Sequence, residues 1–122
     1  MKVIVVEPQK KPVVQNIDPG LEAMQKIVGG SMEAVYPFAD PVALICNEEG
    51  KLLGLPLNRA LRDDDGEVYD IISGTFFLCA APPDSDRFES LGDQQMKVYF
   101  ERFAVPEMFL KVGSDLFVLP YL

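Results

Sequence analysis

The chain has 122 residues, enough for one domain that buries roughly two-thirds of its unfolded surface, and its 48% hydrophobic to 25% charged balance excludes a disordered protein. Nineteen acids against eleven bases give a net charge of -8, which argues against direct binding to nucleic acid or to an anionic membrane, and the absence of histidine excludes every mechanism that needs imidazole. The apolar runs fall short of the ~20 residues that span a bilayer, and the start, Met-Lys-Val-Ile-Val-Val-Glu-Pro, carries no signal-peptide cleavage region, so a cytoplasmic location is expected.

Lys2 to Val6 is β-branched and apolar and reads as a buried strand that Pro8 ends. Gln9-Lys10-Lys11 turns the chain into Pro12 to Ile17, the expected hairpin partner. Asp18-Pro19 then announces a helix, with an acceptor at the N-cap and proline at the first helical position. Leu21, Met24, Ile27 and Val28 form its apolar stripe, and Gly29-Gly30 stops it. Met32 to Phe38 reads as a short third strand.

Val42 to Cys46 is continuously apolar, the pattern of a strand covered on both faces. Asn47 and Gly50 suit the first and last positions of a type I turn, so Lys51-Leu52-Leu53 is expected to return as the second arm of a hairpin. Gly54 and Pro56 break that arm into a loop. On this reading the loop carries Asn58 and Arg59, with Asn58 capping a helical turn from Arg59 to Arg62. Asp63-Asp64-Asp65-Gly66-Glu67 is an exposed acidic turn. Aligned as a calcium loop on Gly66, it would put Leu61 and Ile72 at the first and twelfth ligand positions, so no EF-hand is expected.

Tyr69 to Ala81 reads as a long strand interrupted at Gly74, where a bulge or a close approach to the backbone is expected. Pro82 to Asp86 is a loop. Ser90 and Asp93 have capping-box spacing, and Met96, Tyr99, Phe100 and Phe103 form the core stripe of a second helix. The whole is an α+β domain over residues 1–105, with a mainly antiparallel sheet of about five or six strands and two helices packed against it. Residues 106–122 form an apolar C-terminal extension that docks on the same domain or on a partner, a homodimer included.

Cys46 and Cys79 each sit in an apolar run and are expected to be buried free thiols. Two cysteines match no zinc-ligand spacing, no glycine-rich phosphate loop is present, and the Glu67–Asp70 pair needs no catalytic explanation, so neither an enzyme nor a cofactor or metal is expected.

The runs Ile45 to Leu52, Gly54 to Leu61 and Ile71 to Phe76, with the Glu22 to Gly30 segment of the first helix, resemble a family of short bacterial and phage domains of unknown function (three-eight-four-six), over residues 1 to about 103. The resemblance implies a setting in phages and other mobile elements, sometimes beside antirestriction modules, and no catalytic residues. Asn58, Arg59 and Gly74 match its recurring pattern.

The favoured reading is therefore a noncatalytic binding or interaction module with a protein partner, its candidate binding residues Asn58, Arg59 and Gly74, because arginine presents a planar five-donor fork to carboxylate or phosphate. The bland alternative for these residues is a capped turn with Arg59 paired to Asp63 or Glu67. The other functional reading is an acidic nucleic-acid mimic or antirestriction-type inhibitor, its surface built from Asp63, Asp64, Asp65 and Glu67.

Overall fold

The computed structural model describes residues 1–121; Leu122, the last residue of the C-terminal extension, lies outside them. The fold is α+β and its sheets are antiparallel. Five strands make the main sheet: β1 (Lys2–Val6), β2 (Val13–Asn16), β3 (Met32–Val35), β4 (Val42–Asn47) and β7 (Phe76–Ala80), in the order β2-β1-β7-β4-β3. Helix α1 (Leu21–Val28) covers one face, and helix α2 (Asp93–Arg102) covers the other together with a second, two-stranded sheet of β5 (Leu57–Arg62) and β6 (Val68–Ser73). A last hairpin pairs β8 (Glu107–Val112) with β9 (Asp115–Pro120).

Residues alternate across each strand, so the apolar runs divide between two cores. Val3, Val5, Ala43, Ile45, Phe77 and Cys79 meet Met24 and Val28 of α1. Ile4, Val6, Leu44, Cys46, Phe76 and Leu78 meet Tyr99 of α2, Phe103 at its C-cap, and Leu61 and Ile72 of the small sheet. Phe76 and Phe103 contact edge to face with centroids 5.4 Å apart, a geometry that aligns the positive ring edge with a negative ring face.

The division of faces explains the thiols. β4 and β7 are neighbours in register Ala43↔Cys79, yet Cys46 faces α2 and Cys79 faces α1, so the sheet itself separates them. Both are free and buried. Burial pushes each thiol up to about 12 from 9.0, with Glu33 adding to the effect at Cys46. The folded chain therefore holds these protons more tightly than the unfolded chain. Below pH 9 this leaves stability untouched, whereas between about 9 and 12 each thiol removes up to about 1.4 kcal/mol per pH unit. Urea unfolding across that window should show the midpoint falling, with a shallower fall in Cys79→Ala.

Several local expectations are corrected by the structure. Asp18 does not cap α1: the N-cap is Gly20, and Asp18 instead accepts the Gly20 N–H at 2.7 Å, which moves the helix start two residues on and leaves Leu21 exposed. The C-terminus follows the sequence reading, with Gly29 left-handed at φ 82°. Asn47 adds to that end by donating to the Val28 carbonyl at 3.1 Å. At α2, Gln95 Oε1 accepts the N–H of the N-cap Gly92, whereas Ser90 is spent on β1, its hydroxyl accepting the Lys2 N–H. The third strand ends at Val35, before Phe38, whose ring packs against Tyr99.

The turn at Asn47 forms, with the Gly50 N–H reaching the Asn47 carbonyl, but Lys51 to Leu53 does not return as a strand. Gly50 runs so close to β6 that a Cβ there would lie 2.7 Å from the Ser73 carbonyl, and the chain is carried across to the small sheet instead. The expected long strand from Tyr69 to Ala81 is likewise two strands in two sheets. Gly74, at φ 83°, is the corner between them, a conformation that other residues reach only with strain. The expected close approach is real and comes from Leu55, whose Cδ1 would be 2.7 Å from a Cβ at Gly74.

The C-terminal extension makes its own hairpin and does not join the main sheet. It is fastened to β5 by one side chain: Glu107 Oε1 accepts the Ala60 N–H at 2.9 Å, and Oε2 accepts from Arg62 Nη2 at 2.7 Å. A carboxylate thus satisfies a free backbone donor on the outer edge of β5. No helix among the described residues is long and apolar enough to cross a membrane.

Candidate functional site

Asn58 and Arg59 are on neither a loop nor a helical turn. They are the second and third residues of β5, and both are buried, Arg59 with 1% of its surface exposed. The helical turn fails because alternate residues of this segment face a core: Leu61 packs with Ile72 beneath the main sheet, a period-two demand that overrides a capped turn.

Asn58, Arg59 and Gly74, singled out separately in the sequence, meet at one buried node. Asn58 Nδ2 donates to the Val6 carbonyl at the end of β1 and to the Gly74 carbonyl at the corner, both at 2.8 Å. Asn58 Oδ1 accepts from Arg59 Nη1 at 2.9 Å. The guanidinium spends its other donors on backbone carbonyls: Nη2 on Lys10 at 2.7 Å and Phe103 at 3.0 Å, Nε on Phe103 and Nη1 on Asn58, both at 3.3 Å. Arg59 pairs with neither Asp63 nor Glu67. Its planar fork is used inward, tying the turn after β1, strand β5 and the end of α2 together. Burial lowers the guanidinium from its ordinary value, and the charge of Glu107 opposes part of that shift.

Arg59 also forms the floor of a cleft of about 480 Å³ between β5, the C-terminal end of α2 and the β8–β9 hairpin. Phe38, Phe103, Val105 and Val118 supply its apolar wall. Among the described residues its charged lining is three arginines, Arg59, Arg62 and Arg102, against one glutamate, Glu107. Arg102 is exposed, and its guanidinium carbon lies 4.8 Å above the Phe38 ring centroid, a cation–π contact that fixes the side chain without consuming its donors. Among the described residues it has no carboxylate partner, whereas Arg62 is paired with Glu107. Neither Arg62 nor Arg102 stands out in the sequence; the one available signal for Arg102 is its place beside Phe103 in the last turn of an apolar-striped helix.

The acidic residues lie elsewhere. Asp63, Asp64, Asp65 and Glu67 form the exposed turn between β5 and β6. Asp63 Oδ1 is used within it, accepting the N–H groups of Asp65 and Glu67 at 2.9 Å each. Asp70 takes an ion pair with Lys51 at 2.6 Å. No group of three or more Cys, Asp or Glu among the described residues is placed to hold a metal ion.

Residues 1–104 match the family described as Domain of unknown function (DUF3846). The chain belongs to this family. The match takes in both helices, the five-stranded sheet, the β5–β6 sheet and the Asn58–Arg59–Gly74 node of the DUF3846 domain, and it stops before the β8–β9 hairpin. Comparison with the curated proteins and with the solved structures finds no match.

Proposed function

We propose that this DUF3846 chain is a noncatalytic interaction module of a phage or conjugative element, working in the cytoplasm, and that the cleft beside β5 takes an acidic segment of a protein partner. One observation carries the reading: in a chain of net charge -8, the described residues around one apolar-walled cleft include three arginines and a single glutamate. A carboxylate entering it meets the exposed Arg102 fork, while an apolar neighbour on the same segment meets Phe38 and Val118. Chemistry on the ligand has little to draw on. Among the described residues the cleft holds no thiol, and both oxygens of the one carboxylate that lines it are engaged by Ala60 and Arg62.

The test is capture of partners from a bacterial lysate at about 50 and about 500 mM salt, where Coulomb attraction between exposed groups is respectively strong and screened. Three baits are compared: the native chain, Arg102→Glu, and a chain with Asp64→Asn, Asp65→Asn and Glu67→Gln. Reversing Arg102 should lower recovery of the partner at least tenfold at low salt, and neutralising the β5–β6 turn should leave it unchanged. The opposite pattern would support the acidic-mimic reading and overturn this one.

A further inference from the structure

We infer that the outer face of the β8–β9 hairpin binds a second copy of the same chain, making a two-fold dimer. The register pairs Met108 with Leu119, Leu110 with Phe117 and Val112 with Asp115, and the ladder is extended by a bond from the Tyr121 N–H to the Pro106 carbonyl at 2.7 Å. Alternation then places Met108, Leu110, Val112, Phe117, Leu119 and Tyr121 on one side of the hairpin. All six are between 41% and 55% exposed. The opposite side carries Glu107, Phe109 and Val118, which are partly covered, and it is the side that faces β5 and the cleft. The exposed stripe is thus one contiguous apolar surface pointing away from its own domain.

Three observations argue for a second copy as the occupant. The first is area. Six half-exposed side chains of this size leave roughly 500 Å² per copy, so a two-fold contact would remove about 1,000 Å² in total, at the threshold of a specific interface. The second is self-complementarity. An axis running along the strands lays Phe117 of each copy against Leu110 of the other and Leu119 against Met108, large side chain on smaller, at the spacing of stacked sheets. The only charged side chain in these pairs, Asp115, falls at the hairpin tip, where the rim of an interface is wet. The third is the hairpin's independence from the domain. The DUF3846 match ends at residue 104, and a two-stranded hairpin is marginal by itself, so a third layer over the stripe supplies the burial that the domain leaves undone.

Charge sets the salt dependence. Each copy carries -8, so the copies repel, and association through an apolar face whose one charge, Asp115, lies at the rim strengthens as salt rises. This is the reverse of the dependence expected for an acidic segment in the arginine cleft, so the two readings succeed or fail separately.

Sedimentation equilibrium of the full chain from roughly 1 to 200 µM should report a reversible dimer that tightens at about 500 mM salt. Phe117→Lys or Leu110→Lys should shift it to monomer by at least tenfold in concentration, with an unchanged urea midpoint when native and variant chains are both measured at concentrations where they are monomers. Leu116→Lys, on the opposite side of the hairpin, should not. If a lysine variant unfolds, mixed Leu110→Cys and Phe117→Cys chains decide the matter: facing sheets stand ~10 Å apart, too far for a disulfide, so a bis-maleimide of about that span should join the two chains while the buried Cys46 and Cys79 stay unmodified. A native chain that stays monomeric at 200 µM overturns the proposal and leaves a foreign apolar partner as the occupant. So does a dimer indifferent to the lysine substitutions, or the absence of the mixed cross-link.

Discussion

Replacing Arg59 by methionine should lower folding stability by about 4 kcal/mol, read as a fall in the urea midpoint at constant m-value. The methionine matches the length of the buried stem but leaves the carbonyls of Lys10 and Phe103 and the Asn58 amide oxygen without the donors they now have. Buried acceptors stripped in this way forfeit water as well as their partner, and bonds to a charged donor are worth about 1.5–3 kcal/mol each. Relief from desolvating the guanidinium offsets part of the sum, which is why the expected loss is well below the total of five bonds. Arg59→Lys should recover less than half of it, because an ammonium is a point donor and cannot span carbonyls from three segments. Arg102→Ser, at the exposed mouth of the same cleft, should change stability by no more than ~0.5 kcal/mol. Were Arg59 a ligand-gripping fork, its loss would leave the midpoint nearly unmoved, and that result would refute the structural assignment.

Asn58→Ala is expected to cost about 3 kcal/mol in the same measurement. The side chain has no exposed surface and makes three bonds of 2.8–2.9 Å, to Val6, to the Gly74 corner and to Arg59. Alanine leaves two carbonyls and one guanidinium N–H unmatched in a space too small to admit full hydration. Because Asn58 and Arg59 share one network, the double substitution should be less destabilising than the two single losses added together, by at least ~1 kcal/mol. Additivity within error would mean that the two residues act separately and that the node is not a unit.

These two residues mark where reading the chain alone fails, and the periodic segments around them show where it succeeds. The apolar runs Lys2 to Val6 and Val42 to Cys46, and the stripes of Met24–Val28 and Met96–Phe103, encode their own periodicity, so strands and helices appear in the sequence at nearly their observed positions. The exposed acidic turn at Asp63 to Glu67 is a local feature too, and a lone glycine inside an apolar run flags the close approach at Gly74 without saying that Leu55 makes it.

The middle of the chain is different. A polar pair after Gly54 and Pro56 has the local look of a capped loop, and nothing within a few residues distinguishes it from a buried strand. Its hydrogen-bond partners stand far off along the chain: Val6 is 52 residues from Asn58, and Phe103 is 44 from Arg59. The corner at Gly74 is settled in the same way, since one long strand and two strands in different sheets share the same alternation until packing chooses between them.

Chemistry of composition was therefore in the residues themselves: a small acidic α+β domain with two protected thiols and without imidazole. Whether an arginine points out to a ligand or inward to three carbonyls was decided only by the tertiary structure. The free energy of a buried charge depends on donors and acceptors that adjacent residues do not supply.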